Sequence, residues 1–407
     1  LSRKVIEWGI FAIVAVGAVL LVRRAVPWAA YVYYRATAKA AVKPALRRRL
    51  REAENRLTAE HGVILPGQSG VGPCLVVNVA AGVGRHGGVS PERPIRDCLE
   101  LAPGGPPVNA IELDLRTDTL ILVQTDMYLP GDPPIAFTRV VEPLIRWNRQ
   151  FQIFLQNEYD IFPFGHRFPF TYQKLQLADR REILFPRISH GTGYADAVFE
   201  HETGGAIFRH ALTGWNGDGW DTDLGDGKTF VFPSSYNSTR PPQGALVGLI
   251  EHSGNRLTLK RGRNGNLQSA RSSDGRWMKV GYRGASIVSL EDSAGEKANY
   301  AYDSVRLLAS STNARGERLS YSYDPKGDLT AVWDAETRKD VIEACYGRIG
   351  AITSLWVGGR VFGFSYGIDP TGSYADVGVK EKGVGDWVVQ MGRCTANDCN
   401  YRVRRGR

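Results

Sequence analysis

From Leu319 to Asp334 the chain reads LSYSYDPKGDLTAVWD, and the fold follows from how this stretch is read. Leu319, Tyr321 and Tyr323 alternate with serines, the period of two that sends one set of side chains to one face of a strand. DPKGD follows, a cluster of turn formers, and LTAVWD then reads as a second strand ending on a large aromatic. One such segment is one β-hairpin.

Related segments lie on both sides. GNRLTL, GRWMKV, GEKANY and GERLSY begin at Gly254, Gly275, Gly295 and Gly316, one every 20 or 21 residues. Two further steps lead to Gly358, where GGRVFGFSYG restores the pattern after a poorer copy around Val341 to Tyr346, so six units are expected. The first strand of a unit ends in an aromatic: Tyr282, Tyr302, Tyr323, Tyr346 or Tyr366. A lone hairpin cannot bury its apolar face, so successive hairpins must add edge to edge into one continuous sheet. The five tyrosines then either belong to the core or, on an open strip, form an aromatic surface suited to a sugar or another protein. They are the candidate binding residues.

ANYAYD at Ala298 to Asp303 and LSYSYDPKGDLTAVWD resemble RHS/YD repeats. VNAIELDLRTDTLILVQTDMYLPGDPPIAFTRV, from Val108 to Val140, is similar to the N-terminal domain that commonly precedes such repeats, and DGKTFVFP at Asp226 to Pro233 looks like its later hairpin. Together these cover most of Val108 to Gly367. The resemblance implies a spiral β-strip that closes, in long members, as a hollow shell around a C-terminal toxin or effector. Six units make a fraction of such a shell, and with no aspartate-containing RHS core motif or toxin-sized domain after them, encapsulation by this chain alone is not expected. The fold class expected is mainly β: repeated hairpins in a continuous curled antiparallel sheet, a partial shell, with an N-terminal transmembrane helix.

WGIFAIVAVGAVLLV, Trp8 to Val22, is uncharged and reaches roughly 18 apolar-leaning residues with Val5 and Ile6 included. Arg3 and Lys4 would also suit a signal-peptide n-region, but Arg23 and Arg24 follow where a cleavage site needs small residues, which favours a retained single-pass anchor. An exported or cell-envelope body is expected. Cations are denser after the span, which the positive-inside rule would keep in the cytoplasm, so the side of the membrane stays open. The organisation expected is an anchor with flanks (1–24), a basic juxtamembrane helix (25–62) broken near Pro44, a Gly/Pro-rich linker (63–107), a β domain (108–250), the repeats (251–368) and a Cys-containing basic tail (369–407). Within the linker, CLVVNVAAG at Cys74 to Gly82 is a strand candidate, and Ile111 to Gly131 alternates as two strands and a turn. Val141 to Tyr159 reads equally as a short helix or two strands.

The net charge of +9 gathers in Arg35 to Arg56 and Arg402 to Arg407. Beside an apolar span, such charge suits anionic headgroups better than phosphate readout, so a membrane partner is expected and nucleic acid is not. HETGG at His201 to Gly205 lacks the second histidine of a zinc protease. His190, His201 and His210 are more simply hydrogen-bonding residues than a metal triad. Asp218, Asp221, Asp223 and Asp226 in GDGWDTDLGDG offer oxygens to calcium without the EF-hand frame, and a hairpin turn accounts for them better. Of the five cysteines, Cys74 with Cys98 and Cys394 with Cys399 are possible pairs, unpaired thiols being the alternative. No nucleophile elbow, phosphate loop or dinucleotide fingerprint is present, so no catalytic, metal or cofactor residues are assigned.

These readings converge on a non-catalytic, membrane-anchored scaffold or interaction module, related to polymorphic-toxin or cell-surface systems, whose partner is a protein or a glycan. Two alternatives stay open: a carbohydrate-binding module using the tyrosine ladder, and a glycan-active enzyme with a dispersed acidic pair.

Overall fold

The computed structural model describes residues 73–78, 95–99, 103–141, 156–157, 159–164, 170–178, 181–202, 207–234, 241–347, 350–368, 374–394 and 399–405. The expected membrane span and juxtamembrane helix lie outside the described residues, as does most of Val141 to Tyr159. Among the described residues no helix is long and apolar enough to cross a membrane. The structure is almost entirely antiparallel β.

A 19-stranded sheet runs from Val198–Glu200 to Cys399–Arg405, each strand pairing with the next in sequence, and its two end strands do not meet. The sheet is therefore open. The six expected hairpins lie within it, from Arg256–Arg261 with Leu267–Ser272 to Arg360–Ile368 with Tyr374–Glu381. The segment read as a tail, 369–407, supplies the second strand of the sixth hairpin, Tyr374–Glu381, and adds Gly385–Cys394 and Cys399–Arg405. Its alternation in YRVRR suffices for pairing although it lacks the tyrosine signature.

A second sheet has six strands in the order Ile95–Asp97, Pro73–Asn78, Asn109–Asp114, Thr119–Leu129, Ile135–Val141 and Gln156–Asn157. Its first two strands come from the Gly/Pro-rich segment and are joined by the disulfide Cys74–Cys98. A three-stranded sheet, Phe162–Phe164, Tyr172–Gln176 and Glu182–Pro186, completes the fold. One hydrophobic cluster includes Leu113, Phe137, Phe185, Phe230, Leu308 and Leu355, so the three sheets share a core.

The tyrosine–aspartate pairs have two separate local tasks. Asp303 Oδ1 accepts from the amides of Val305 and Leu307, and Asp324 Oδ1 from those of Lys326 and Asp328, so each aspartate closes the turn within its own hairpin. The tyrosine just before it sits at a register shift, between Ala301 and Tyr302 or Ser322 and Tyr323. Such a bulge increases the local twist of the strand pair.

The turn opening each unit needs a left-handed residue: φ is +87° at Gly295 and +82° at Gly316. In the poorer fifth unit, Arg338 holds φ 53° in the corresponding turn. A Cβ at Gly316 would meet nothing within 4 Å, so any penalty there is one of backbone conformation alone. Gly316→Ala is expected to cost about 1 kcal/mol, and Arg338→Gly to gain somewhat less. Opposite shifts of the chemical-denaturation midpoint would check both.

Candidate functional site

The five tyrosines are half-buried and pack against the main core. Their hydroxyls follow one rule: Tyr282 donates to the Leu267 carbonyl (2.9 Å), Tyr302 to Ile287 (2.7 Å), Tyr323 to Leu308 (3.0 Å), Tyr346 to Leu329 (2.9 Å) and Tyr366 to Ile352 (2.9 Å). Each acceptor is the first or second residue of the second strand of the preceding hairpin, so the tyrosine clips one unit to the one before it. In the first unit Arg261 stands at the tyrosine's position, and its Nε donates to the carbonyl of Leu246, just before strand Gly248–Ile250, at 2.8 Å. Burial pushes the phenols of Tyr282, Tyr302 and Tyr323 well above the ordinary tyrosine range.

The residues that bring the two larger sheets together are different ones. Strand Thr119–Leu129 and its flanking turns are held to the 19-stranded sheet at three places. At one end, Asp118 accepts from the Ile352 amide (2.9 Å) and shares with the Ile352 carbonyl the single proton of the Tyr366 hydroxyl (2.6 Å to Asp118). In the middle, Asp126 accepts from the Tyr300 hydroxyl (2.6 Å), and its carbonyl accepts from the Ala314 amide (2.9 Å). At the other end, Arg276 donates to the carbonyls of Leu129 (3.1 Å), Pro130 (2.7 Å) and Pro133 (2.9 Å), while Ser253 and Asn255 donate to Asp132. From Asp118 to Pro130 an extended chain spans about 40 Å, and the seven strand steps from Trp277–Arg283 to Ile352–Val357 span about 34 Å. The similar lengths make this strand a crossbar over eight consecutive strands.

Arg139 fixes the middle of the crossbar. Its guanidinium donates to Asp126 (Nε to Oδ2, 2.9 Å; Nη2 to Oδ1, 3.2 Å), Ser311 (3.2 Å), Tyr321 and Gln124. Both members of the ion pair are buried, with side-chain exposures of 1% and 0%. Burial alone would lower the Arg139 pKa, but the Asp126 carboxylate, with help from Tyr321 and Tyr300, outweighs it and holds the pKa above its ordinary value. Neither residue was singled out from sequence. The available signal was a charge inside an apolar strand, Asp126 in VQTDMYL and Arg139 in AFTRVV.

The structure joins Cys74 to Cys98. Glu112 Oε1 lies 2.9 Å from Cys74 Sγ and 3.0 Å from Arg181 Nη1, and Oε2 accepts from the Leu99 amide at 3.3 Å. This is the one cluster of three or more His, Cys, Asp or Glu ligand atoms among the described residues. The disulfide uses both sulfurs, and the sulfur–carboxylate approach is a contact without a proton to share. Cys394 and Cys399 are cross-strand backbone partners, while Cys345 is free and exposed.

The three histidines do not form such a cluster. His201 Nδ1 lies 2.8 Å from the Leu184 carbonyl, His210 Nδ1 lies 3.4 Å from Glu200, and the His190 carbonyl accepts from Arg187. The aspartates of GDGWDTDLGDG are spread over a strand and its turns: Asp221 accepts from Asn216, Asp223 from Thr229, and Asp226 from the Lys228 amide.

No protein-family model matches the sequence, and no curated protein matches it. Among solved structures, the chain is similar to the Tc holotoxin pore of Photorhabdus luminescens, at 9% identity over 72% of this chain and 14% of that one, with a TM-score of 0.29. It is also similar to a TcdB2-TccC3-TEV crystal structure, at 8% identity over 74% and 19% with a TM-score of 0.26, and to TcdB2-TccC3, at 10% over 70% and 23% with a TM-score of 0.26. The chain thus spans less than a quarter of the length of each.

Removing one member of a buried ion pair strands the other's charge. Arg139→Met is expected to cost about 3–5 kcal/mol, and adding Asp126→Leu should restore most of it. Denaturant titration of the two single variants and the double variant measures this coupling.

Proposed function

We propose that the chain is a membrane-anchored RHS/YD-repeat scaffold or interaction module without catalytic activity, related to polymorphic-toxin or cell-surface systems. The crossbar is the observation that carries this reading. Asp118, Asp126, Arg139 and Arg276 are all spent on holding eight strands against a second sheet, an arrangement suited to presenting a rigid surface. The repeat tyrosines serve the same end, since their hydroxyls are engaged between hairpins. The apolar run from Trp8 to Val22 supports single-pass anchoring, on a side of the membrane that the run itself does not set.

The partner in this reading is a protein, bound through strand edges and the charged outer face that carries Lys279 and Glu291, both exposed. A photo-crosslinking amino acid at Lys279 or Glu291 is expected to trap one defined protein in the native envelope. The full chain should remain with membranes at alkaline pH, whereas a chain lacking residues 1–24 should not. A glycan array and an assay for reducing ends released from polysaccharides should both stay blank. Specific glycan retention abolished by Tyr302→Phe, or polysaccharide cleavage, would replace the scaffold reading with one of its two alternatives.

A further inference from the structure

The outer face of the first repeat strands gathers cations. In Arg256–Arg261, Leu257 and Leu259 face the core, while Arg256, Thr258 and Lys260 are exposed on the other face. The next strand, Leu267–Ser272, exposes Arg271, and Trp277–Arg283 exposes Lys279 beside the half-buried Trp277. Register sets their spacing. Arg271 lies opposite Thr258 on one side and Trp277 on the other, so Arg256, Lys260 and Lys279 are its diagonal neighbours, each about 7–8 Å away. Arg256, Arg271 and Lys279 stand in one oblique line across three strands, and Lys260 flanks its centre.

No carboxylate balances this group. None of the four makes an ion pair among the described residues, and Lys279 instead rests its ammonium on the Trp277 ring, 4.3 Å from the centroid. Elsewhere on the same sheet Lys297 reaches Glu291 (3.8 Å), Arg315 reaches Glu317 (3.2 Å) and Lys380 reaches Asp386 (3.8 Å). Like charges held this close repel one another, a cost that an approaching anion removes. Ser269, directly opposite both Lys260 and Lys279, and Thr258 give the patch a low floor of short hydroxyl side chains.

We propose that this patch is a docking surface for an extended acidic segment of another polypeptide. On one side of an extended chain alternate residues are about 7 Å apart, so carboxylates at every second position match the line from Arg256 through Arg271 to Lys279. The neighbouring acid favours a narrow partner. Glu291 is the direct cross-strand partner of Lys279, so an anionic membrane laid over Lys279 would also meet that carboxylate, whereas the oblique line continues past it to Ser289. This inference rests on reading the chain as an interaction module and names the chemistry of the segment that its outer face takes.

A fluorescent seven-residue peptide alternating glutamate and serine, titrated into the full chain, provides the test. Saturable anisotropy that weakens with salt is expected, and a lysine–serine peptide should not bind. Arg271→Glu, at the centre of the patch, should weaken binding by roughly tenfold or more. Arg318→Glu, the same charge change at an exposed position elsewhere on the sheet, should alter it by less than about twofold. Equal weakening by both variants would mean that the peptide follows net charge alone and would overturn the proposal, as would absence of saturable binding. Displacement of the peptide by phosphatidylserine vesicles, but not by phosphatidylcholine vesicles, would assign the patch to a membrane surface and also overturn it. If Arg271→Glu leaves the peptide bound while a crosslinker at Glu291 still traps a partner, the patch proposal alone fails and the scaffold reading survives.

Discussion

The contact between Arg139 and Asp126 governs how the molecule is put together. A guanidinium and a carboxylate removed from water are tolerable only when they face each other and their remaining hydrogen-bonding positions are filled. Gln124 comes from the same small sheet, whereas Ser311, Tyr321 and Tyr300 come from the repeats. The charge is fully compensated only when both sheets are present and correctly aligned. A slip of one hairpin would leave buried charge without its partners, so the contact selects a single register where apolar packing alone would accept several.

A strip of hairpins held only by neighbours would behave as a one-dimensional array in which any unit could open with limited effect on distant ones. The crossbar changes that. Asp118 and Arg276 act at its two ends and the ion pair at its centre, so strands seven places apart share a support. Between adjacent hairpins, the tyrosine clips add a link at nearly constant spacing.

Much of the repeat region was legible from residue patterns. Alternation located the strands, glycines at Gly254, Gly275, Gly295 and Gly316 located the turns, and the weak fifth unit coincides with Arg338 in a left-handed conformation. The strand Pro73–Asn78 was recognisable within Cys74 to Gly82, but its place beside Asn109–Asp114 was not, because pairing partners across a Gly/Pro-rich segment leave no mark on either strand alone. The site was less legible. The tyrosines were identified, but their acceptors are backbone carbonyls, which any residue supplies. Asp126 and Tyr300 are 174 residues apart, and nothing in the local sequence of either announces the other.

The separation between Asp118 and Ile352, 234 residues, also has a consequence during synthesis. A ribosome adding roughly 5–20 residues per second needs between about 12 and 47 seconds to cover that distance. Until the repeat strands have been made, the crossbar strand carries Leu120, Leu122 and Met127, side chains that end up buried, with its own sheet and the three-stranded sheet as their cover and the repeat side of the core still missing. The nascent chain therefore passes through a sticky stage whose length is set by translation speed, and a holding chaperone would be most useful to it then.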